Sequence, residues 1–302
     1  MIVTAQRTKN VGRFVAIASG WDENLVMTSS DGINWVQQTI AGPESWTDIC
    51  YSPYLGLFMI LGADKYALSP DGVSWTVYTL PVNWIYGIGW SSDLKLFVMV
   101  SGSYDGWEYT SPDGINWTKY TNAFEVVSKR TIWNSDNSIF VSAGGTGFDT
   151  SPDGINWTHR PVTGTWNDVV WADSLSLFVS CARSSIVTSP TGALWTSRTI
   201  DVGEWEGIAW SPELEVLVVV GGTYDFNGGG SRYSTDGINW NDSGSLPGYA
   251  WKGVTWSSEL SLFVAVGSVT NLDAIATSPD GINWTLRPSS PKPSFKRVAW
   301  AN

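Results

Sequence analysis

The sequence predicts an all-β chain folded as a seven-bladed β-propeller, a closed ring of four-stranded antiparallel blades, and three observations carry that prediction. A nine-letter phrase, TSPDGINWT, stands at Thr110–Thr118, Thr150–Thr158 and Thr277–Thr285, and looser copies begin at Thr28, Leu68, Thr188 and Tyr233. That makes seven copies at a period of roughly forty residues, the length of one propeller blade. A second landmark precedes the phrase: an aromatic is followed seven positions later by an apolar residue in Tyr51/Phe58, Trp90/Phe97, Trp133/Phe140, Trp171/Phe178, Trp210/Leu217 and Trp256/Phe263. Finally, the two ends of the chain complement each other. Val11 to Ser19 match the second strand of a unit and FKRVAWAN, from Phe295, matches the first, so the C-terminal strand completes the N-terminal blade.

Within each unit the elements follow in order. Strand A ends at the aromatic landmark, and the constant interval to strand B is a hairpin register of the kind a tight turn imposes. The phrase then joins strand C to strand D. Its Pro suits the second position of a type I turn, Asp is a turn former, and Gly supplies a left-handed conformation. The intervening segments alternate Val, Ile, Phe and Trp with no helical period. Radial repetition protects the edges that such sheets would otherwise expose, so residues 1–302 form a single domain. Twenty tryptophans supply bulk for the core, and those of the phrase, Trp35 through Trp284, are expected to pack between blades.

A net charge of -11 argues against nucleic acid or an anionic membrane as partner, since both reward clustered Lys and Arg; its plain reading is solubility. The first residues lack the basic and apolar regions of a secretory signal, and no run of about eighteen apolar residues exists to span a membrane. Synthesis in the cytoplasm without membrane insertion is expected. Cys50 and Cys181, in the second and fifth units, read as free thiols of a reducing compartment. Asn116, Asn156 and Asn283 match a glycosylation sequon only because the phrase repeats.

The phrase resembles the Asp-box, or BNR, repeat of sialidases, sortilin-type receptors and many bacterial and phage propellers, usually written S-x-D-x-G-x-T-W. Seven short windows carry the resemblance. Gly directly follows Asp here, as in Asp113-Gly114, which shortens the interval to Trp by one residue. Shortened S-x-D-G-x-x-W repeats are similar to those of phage tail or virion proteins and lectin-like bacterial propellers. The resemblance implies that the phrase is scaffolding, holding the C–D turn away from the ligand face, and the turn chemistry independently says the same. It also implies virion association or release by lysis, with phage structural proteins as partners.

Function is expected where the repeat varies. The interval from the strand B landmark to the phrase Trp runs from seventeen to twenty-three residues, whereas that from the phrase Trp to the next strand A landmark stays within fourteen to sixteen. In a meander the B–C and D–A loops share one face, and variable loops on a rigid frame are where binding resides. Aromatic and acidic residues neighbour one another in five B–C loops: Trp21 with Asp22, Asp64 with Tyr66, Tyr104 and Trp107 with Asp105, Phe148 with Asp149, and Tyr224 and Phe226 with Asp225. A ring covers the apolar face of a sugar while a carboxylate accepts two hydroxyl hydrogen bonds. Equally, Asp and Gly make turns and aromatics cap blade edges. The loop of the fifth unit, CARSSIV, lacks the pair and is expected to be empty. A second set, Trp46, Trp84, Trp166, Trp205, Trp251 and Phe295, stands where each D–A loop meets strand A. It reads either as a set of sugar platforms or as packing between blades.

Catalysis finds little support in the residue inventory. Arg183 and Arg232 are the only arginines in the candidate loops, and His159, the sole histidine, reads as a surface residue, so no arginine cluster, catalytic triad or multi-histidine metal site is expected. No cofactor is expected. The leading expectation is a binding module for cell-surface glycans. Its rivals are a structural or protein-docking propeller and, further off, a glycoside hydrolase using two loop carboxylates.

Overall fold

A computed structural model describes residues 12–18, 25–41, 45–80, 85–101, 107–121, 127–201, 203–222, 230–244, 246, 250–268, 274–289 and 291–301. Seven four-stranded antiparallel sheets form the ring, and among the described residues every regular element is a strand. Six sheets are consecutive A–B–C–D meanders. The seventh closes the ring: Phe295–Ala301 lies beside Arg13–Ala18, with Trp300 opposite Phe14. This blade, numbered 1, takes its inner strand from one end of the chain and its other three from the opposite end. No helix among the described residues is long and apolar enough to cross a membrane.

The landmark pairs are direct cross-strand partners in all six cases. Where both members are aromatic, their centroids lie 4.5–4.8 Å apart, as do those of Phe14 and Trp300. Such contacts add about 0.5–1.5 kcal/mol each beyond area burial. The A–B turn holds its last residue in the left-handed region, at Gly56, Lys95, Ser138, Ser176, Glu215 and Ser261, so one turn geometry sets one register throughout.

The phrase builds a polar clasp. Ser111 Oγ accepts the Gly114 N–H at 2.9 Å and donates to Asp113 Oδ1 at 2.9 Å. The same carboxylate accepts the N–H groups of Ile115 and Asn116, both at 2.8 Å, and the Asn116 side-chain amide at 2.7 Å. Partial burial alone would raise the pKa of the equivalent Asp31, Asp236 and Asp280, but the backbone and Asn donors together outweigh it and hold all three at about 2. In blade 5 Thr191 replaces the Asp, and its hydroxyl makes only a 3.4 Å contact with the Ala193 N–H.

Glycine in the phrase is required twice over. Gly154 has φ +76°, and a Cβ there would stand 2.7 Å from Val98 Cγ2 of the preceding blade. Gly154→Ala is therefore expected to lower unfolding free energy by about 2–4 kcal/mol, combining left-handed strain with overpacking, as measured by urea denaturation. The phrase tryptophans join neighbouring blades as expected: Trp195 stacks on Phe148 of the preceding blade at 3.7 Å, and Trp117 meets Tyr66 edge-on at 5.9 Å. Both cysteines are free.

Candidate functional site

The A strands surround the ring axis, at Asp48–Ser52, Ile85–Ser91, Ser128–Asn134, Trp166–Ala172, Glu204–Ser211, Trp251–Ser257 and Phe295–Ala301. Alternation along a strand would send every second residue to the axis. A β-bulge changes that near the start of these strands, where the A–B register skips Tyr86, Lys129, Asn167, Glu206, Lys252 and Lys296. Each skipped residue is the one four positions before the aromatic landmark. A bulge inserts an unpaired residue and re-aims its side chain, so two successive residues per blade reach the channel. Thr47 holds the same position in blade 2, its N–H donating to the Leu61 carbonyl at 2.7 Å.

The next position along, three before the landmark, forms a plug across the channel. Around the ring from blade 1 it reads Arg297, Asp48, Gly87, Arg130, Asp168, Gly207 and Gly253. Arg130 lies 3.0 Å from Asp48 and 3.5 Å from Asp168, while Arg297 lies 2.9 Å from Asp168 and 3.5 Å from Asp48. The result is a closed square of alternating charge. Backbone groups complete it: Asp48 accepts the N–H groups of Ile49 and Ile88, Asp168 those of Val169 and Ile208, and Arg297 donates to the carbonyls of Lys129 and Asn167. Six of the seven blades are thereby tied together on the axis. Glycine at this position lets neighbouring A strands approach closely, since a Cβ at Gly253 would stand 3.2 Å from the Arg297 Cα.

Above the plug, on the face of the B–C and D–A loops, lies a basin of about 270 Å³ lined by Thr47 and the bulged residues Tyr86, Lys129, Asn167, Glu206, Lys252 and Lys296. Lys129 donates to Asn167 Oδ1 at 2.6 Å, and Lys252 pairs with Glu206 at 2.9 Å. Lys296 makes no hydrogen bond or ion pair with any described residue. Among the described residues, three ammonium groups thus face one carboxylate. Burial first, then Arg297, Lys252 and Lys129, lower the Lys296 pKa from 10.5 to about 8, against the pull of Glu206. Burial likewise lowers that of Lys129. For Glu206 burial acts upward, but Lys252, Lys296 and Lys129 together outweigh it and the net shift is downward.

A depressed lysine pKa means that the folded state binds fewer protons than the unfolded state between about pH 8 and 10.5, so this group's contribution to stability rises across that window. Lys296→Met is accordingly expected to stabilise the protein by about 2–3 kcal/mol at pH 7. That gain should shrink as pH rises through the window and vanish near pH 10.5, when wild type and variant are compared by chemical denaturation at each pH.

Below the plug the channel opens on the face of the A–B and C–D turns as a funnel of about 600 Å³, ringed by Tyr51 and the landmark tryptophans. Four indoles donate to a carboxylate in the preceding blade's A–B turn: Trp133 to Asp93, Trp171 to Asp136, Trp210 to Asp173 and Trp256 to Glu213, at 2.6–3.0 Å.

The residues singled out in the sequence do not converge on one place. Trp21, Asp22, Trp84, Tyr104, Asp105, Tyr224, Asp225 and Phe226 lie outside the described residues. Of the others, Tyr66, Phe148 and Asp149 belong to strand C, which starts earlier than the loop reading assumed. Tyr66 and Phe148 are buried, and Asp149, also buried, bonds His159 at 2.8 Å across the C–D ladder. His159 is therefore a strand residue paired with a carboxylate, not a free surface histidine. Asp64 is exposed beside Lys65, and Trp107 is half-buried with the Lys119 ammonium 3.6 Å from its ring centroid. The expectation of indole platforms is corrected for Trp46, Trp166, Trp205 and Trp251. These rings, with Phe295, are at most 1% exposed, because the position before the bulge points between blades. The fifth B–C loop is a two-residue turn between Ala182 and Ser185, whose Arg183 pairs with Glu204 at 2.7 Å. What the sequence reading missed is the bulged column and the plug.

No protein-family model matches the chain, and no curated protein matches it in sequence. Solved structures resemble it in fold. A structure titled "Streptogramin B lyase structure" aligns with a TM-score of 0.67 at 11% identity, covering 83% of this chain and 89% of that one. "YCF48 bound to D1 peptide" aligns with a TM-score of 0.62 at 13% identity over 90% and 87%. "Crystal structure of Nidogen/Laminin Complex" aligns with a TM-score of 0.57 at 8% identity over 96% and 98%. At these identities the likeness is one of architecture.

Proposed function

We propose that this propeller is a binding module, without catalysis of its own, that recognises cell-surface glycans on the face of the B–C and D–A loops, with the axial basin as its deepest point. One observation carries the reading. The bulged positions repeat in backbone role, yet they bear Thr, Tyr, Lys, Asn, Glu, Lys and Lys, all polar and all turned to one cavity. A frame whose packing residues repeat while its axial residues differ is suited to holding a ligand. Hydroxyl-rich saccharides match the mixed donors and acceptors of Thr47, Tyr86, Asn167 and Glu206. The architecture is shared with a protein whose structure is titled as bound to a peptide and with one titled as a lyase, so fold alone does not choose between binding and catalysis. The phrase's resemblance to phage tail and virion repeats supports a virion setting, where several copies would gain avidity on one surface.

A glycan array tests the reading: wild type is expected to retain a set of saccharides that Glu206→Ala and Asn167→Ala lose, and retention of none would overturn it. Hydrolysis would instead appear as turnover abolished by Asp105→Asn or Asp225→Asn. A second reading is favoured by exposed apolar side chains on the opposite face, at Tyr54, Leu94, Leu214 and Leu260 in A–B turns and Ile33, Ile115, Leu194 and Ile238 in C–D turns. A propeller docked to protein through that face would lose its partner in Leu94→Asp and Leu214→Asp while binding no glycan.

A further inference from the structure

We infer that the axial basin is an oxyanion site, taking one carboxylate, sulfate or phosphate group between the ammonium groups of Lys129, Lys252 and Lys296. This deepens the proposed function, and it rests on the choice of the axial basin as the ligand site. The chain as a whole is acidic, at -11, yet five of its seventeen basic residues, Lys129, Arg130, Lys252, Lys296 and Arg297, line the axial channel. Composition does not explain that concentration, and the plug accounts for only two of the five, because Arg130 and Arg297 are neutralised by Asp48 and Asp168. Among the described residues of the basin one carboxylate, Glu206, stands against three lysines, and it is engaged by Lys252. Lys129 has only a neutral amide as partner, and Lys296 has no hydrogen-bonding or ion-pair partner among the described residues.

Holding like charges together in a half-enclosed cavity is unfavourable, and a bound anion relieves it. The bulges make the arrangement possible by turning these side chains out of their sheets toward a single cavity of about 270 Å³, large enough for an anionic group with part of the molecule that carries it. Thr47, Tyr86 and Asn167 line the same cavity. The chemical class of ligand is therefore an acidic saccharide, or a free oxyanion of the same chemistry.

Isothermal titration at fixed ionic strength with sodium sulfate, sodium glucuronate and glucose separates these possibilities. Sulfate and glucuronate are expected to give saturable binding, glucose none, and Lys129→Met with Lys296→Met to weaken both anions by about a hundredfold or more, two charge-assisted hydrogen bonds being lost. The single variant Lys296→Met, expected to fold at least as stably as wild type, guards against loss by unfolding. A proton should be taken up on binding at pH 8.5, read as a dependence of heat on buffer ionisation enthalpy, because Lys296 faces Arg297, Lys252, Lys129 and Glu206 and is half deprotonated near pH 8. Absence of saturable anion binding, or equal affinity in the double variant, would overturn the inference. Its fate is separable from that of the glycan reading: sulfate binding with a blank glycan array keeps the anion site and removes the glycans. Neutral glycans bound equally by the double variant do the reverse.

Discussion

A chain lacking residues 295–302 is expected not to fold into a stable ring. The deletion removes the inner strand of blade 1, leaving the edge of Arg13–Ala18 unpaired on one side. It also removes Phe295, at 1% exposed, together with Val298 and Trp300, which pack in one cluster with Phe14, Val264 and Val266. Truncating one buried aromatic costs about 3–5 kcal/mol, and the strand carries Phe295 and the half-buried Trp300 besides its ladder hydrogen bonds. That sum is comparable with the roughly 5–15 kcal/mol that stabilises a typical protein, so the cooperative urea transition should disappear and the Stokes radius increase. Restoring the eight residues as a separate peptide should recover the transition in part, because strand A of blade 1 is contiguous and reaches its partners without threading. A truncated chain that keeps a cooperative transition at wild-type midpoint would refute closure by this strand.

Arg297→Met is expected to lower stability by about 3–5 kcal/mol, the cost of depriving a buried carboxylate of its nearest partner. Arg297 is 7% exposed and lies closest to Asp168, which is itself 5% exposed and also accepts two backbone N–H groups. Adding Asp168→Asn should return much of the loss, because the remaining Asp48 and Arg130 still neutralise each other at 3.0 Å. The coupling in this double-mutant cycle, measured by denaturation, should therefore be large and favourable. Equal and additive losses would show that the two side chains act independently and that the square of charges is not a unit.

The architecture was legible because the residues that make it repeat. Pro, Asp and Gly mark one turn, and the seven-residue interval marks one register; both depend on backbone geometry that every blade shares, so each copy reinforces the others. Closure was legible for the same reason, as Phe295 and Trp300 match Trp251 and Trp256. The axial site was not, because its residues are those that do not repeat. The column bears five different residue types over its seven positions, and the bulge that aims them inward breaks the alternation by which a strand is read. Aligning the blades on the aromatic landmark and reading four positions back would have found the column, since it is polar in every blade. The aromatic and acidic pairs misled where strand C begins earlier than the loop composition suggests: Tyr66 and Phe148 sit on the side of the strand that meets the next blade, and Asp149 on the other side meets His159. The platform reading of Trp166 and Trp205 failed on one residue of phase. The position beside each indole is the bulged one, and it is the neighbour that reaches the axis.

The most direct measurement is a crystal soaked in sodium selenate, with anomalous differences collected at the selenium edge. The account predicts one dominant peak on the ring axis, within hydrogen-bonding distance of the Lys129, Lys252 and Lys296 ammonium groups. An empty axis, with selenium only on the outer strands or in the aromatic funnel, would contradict it.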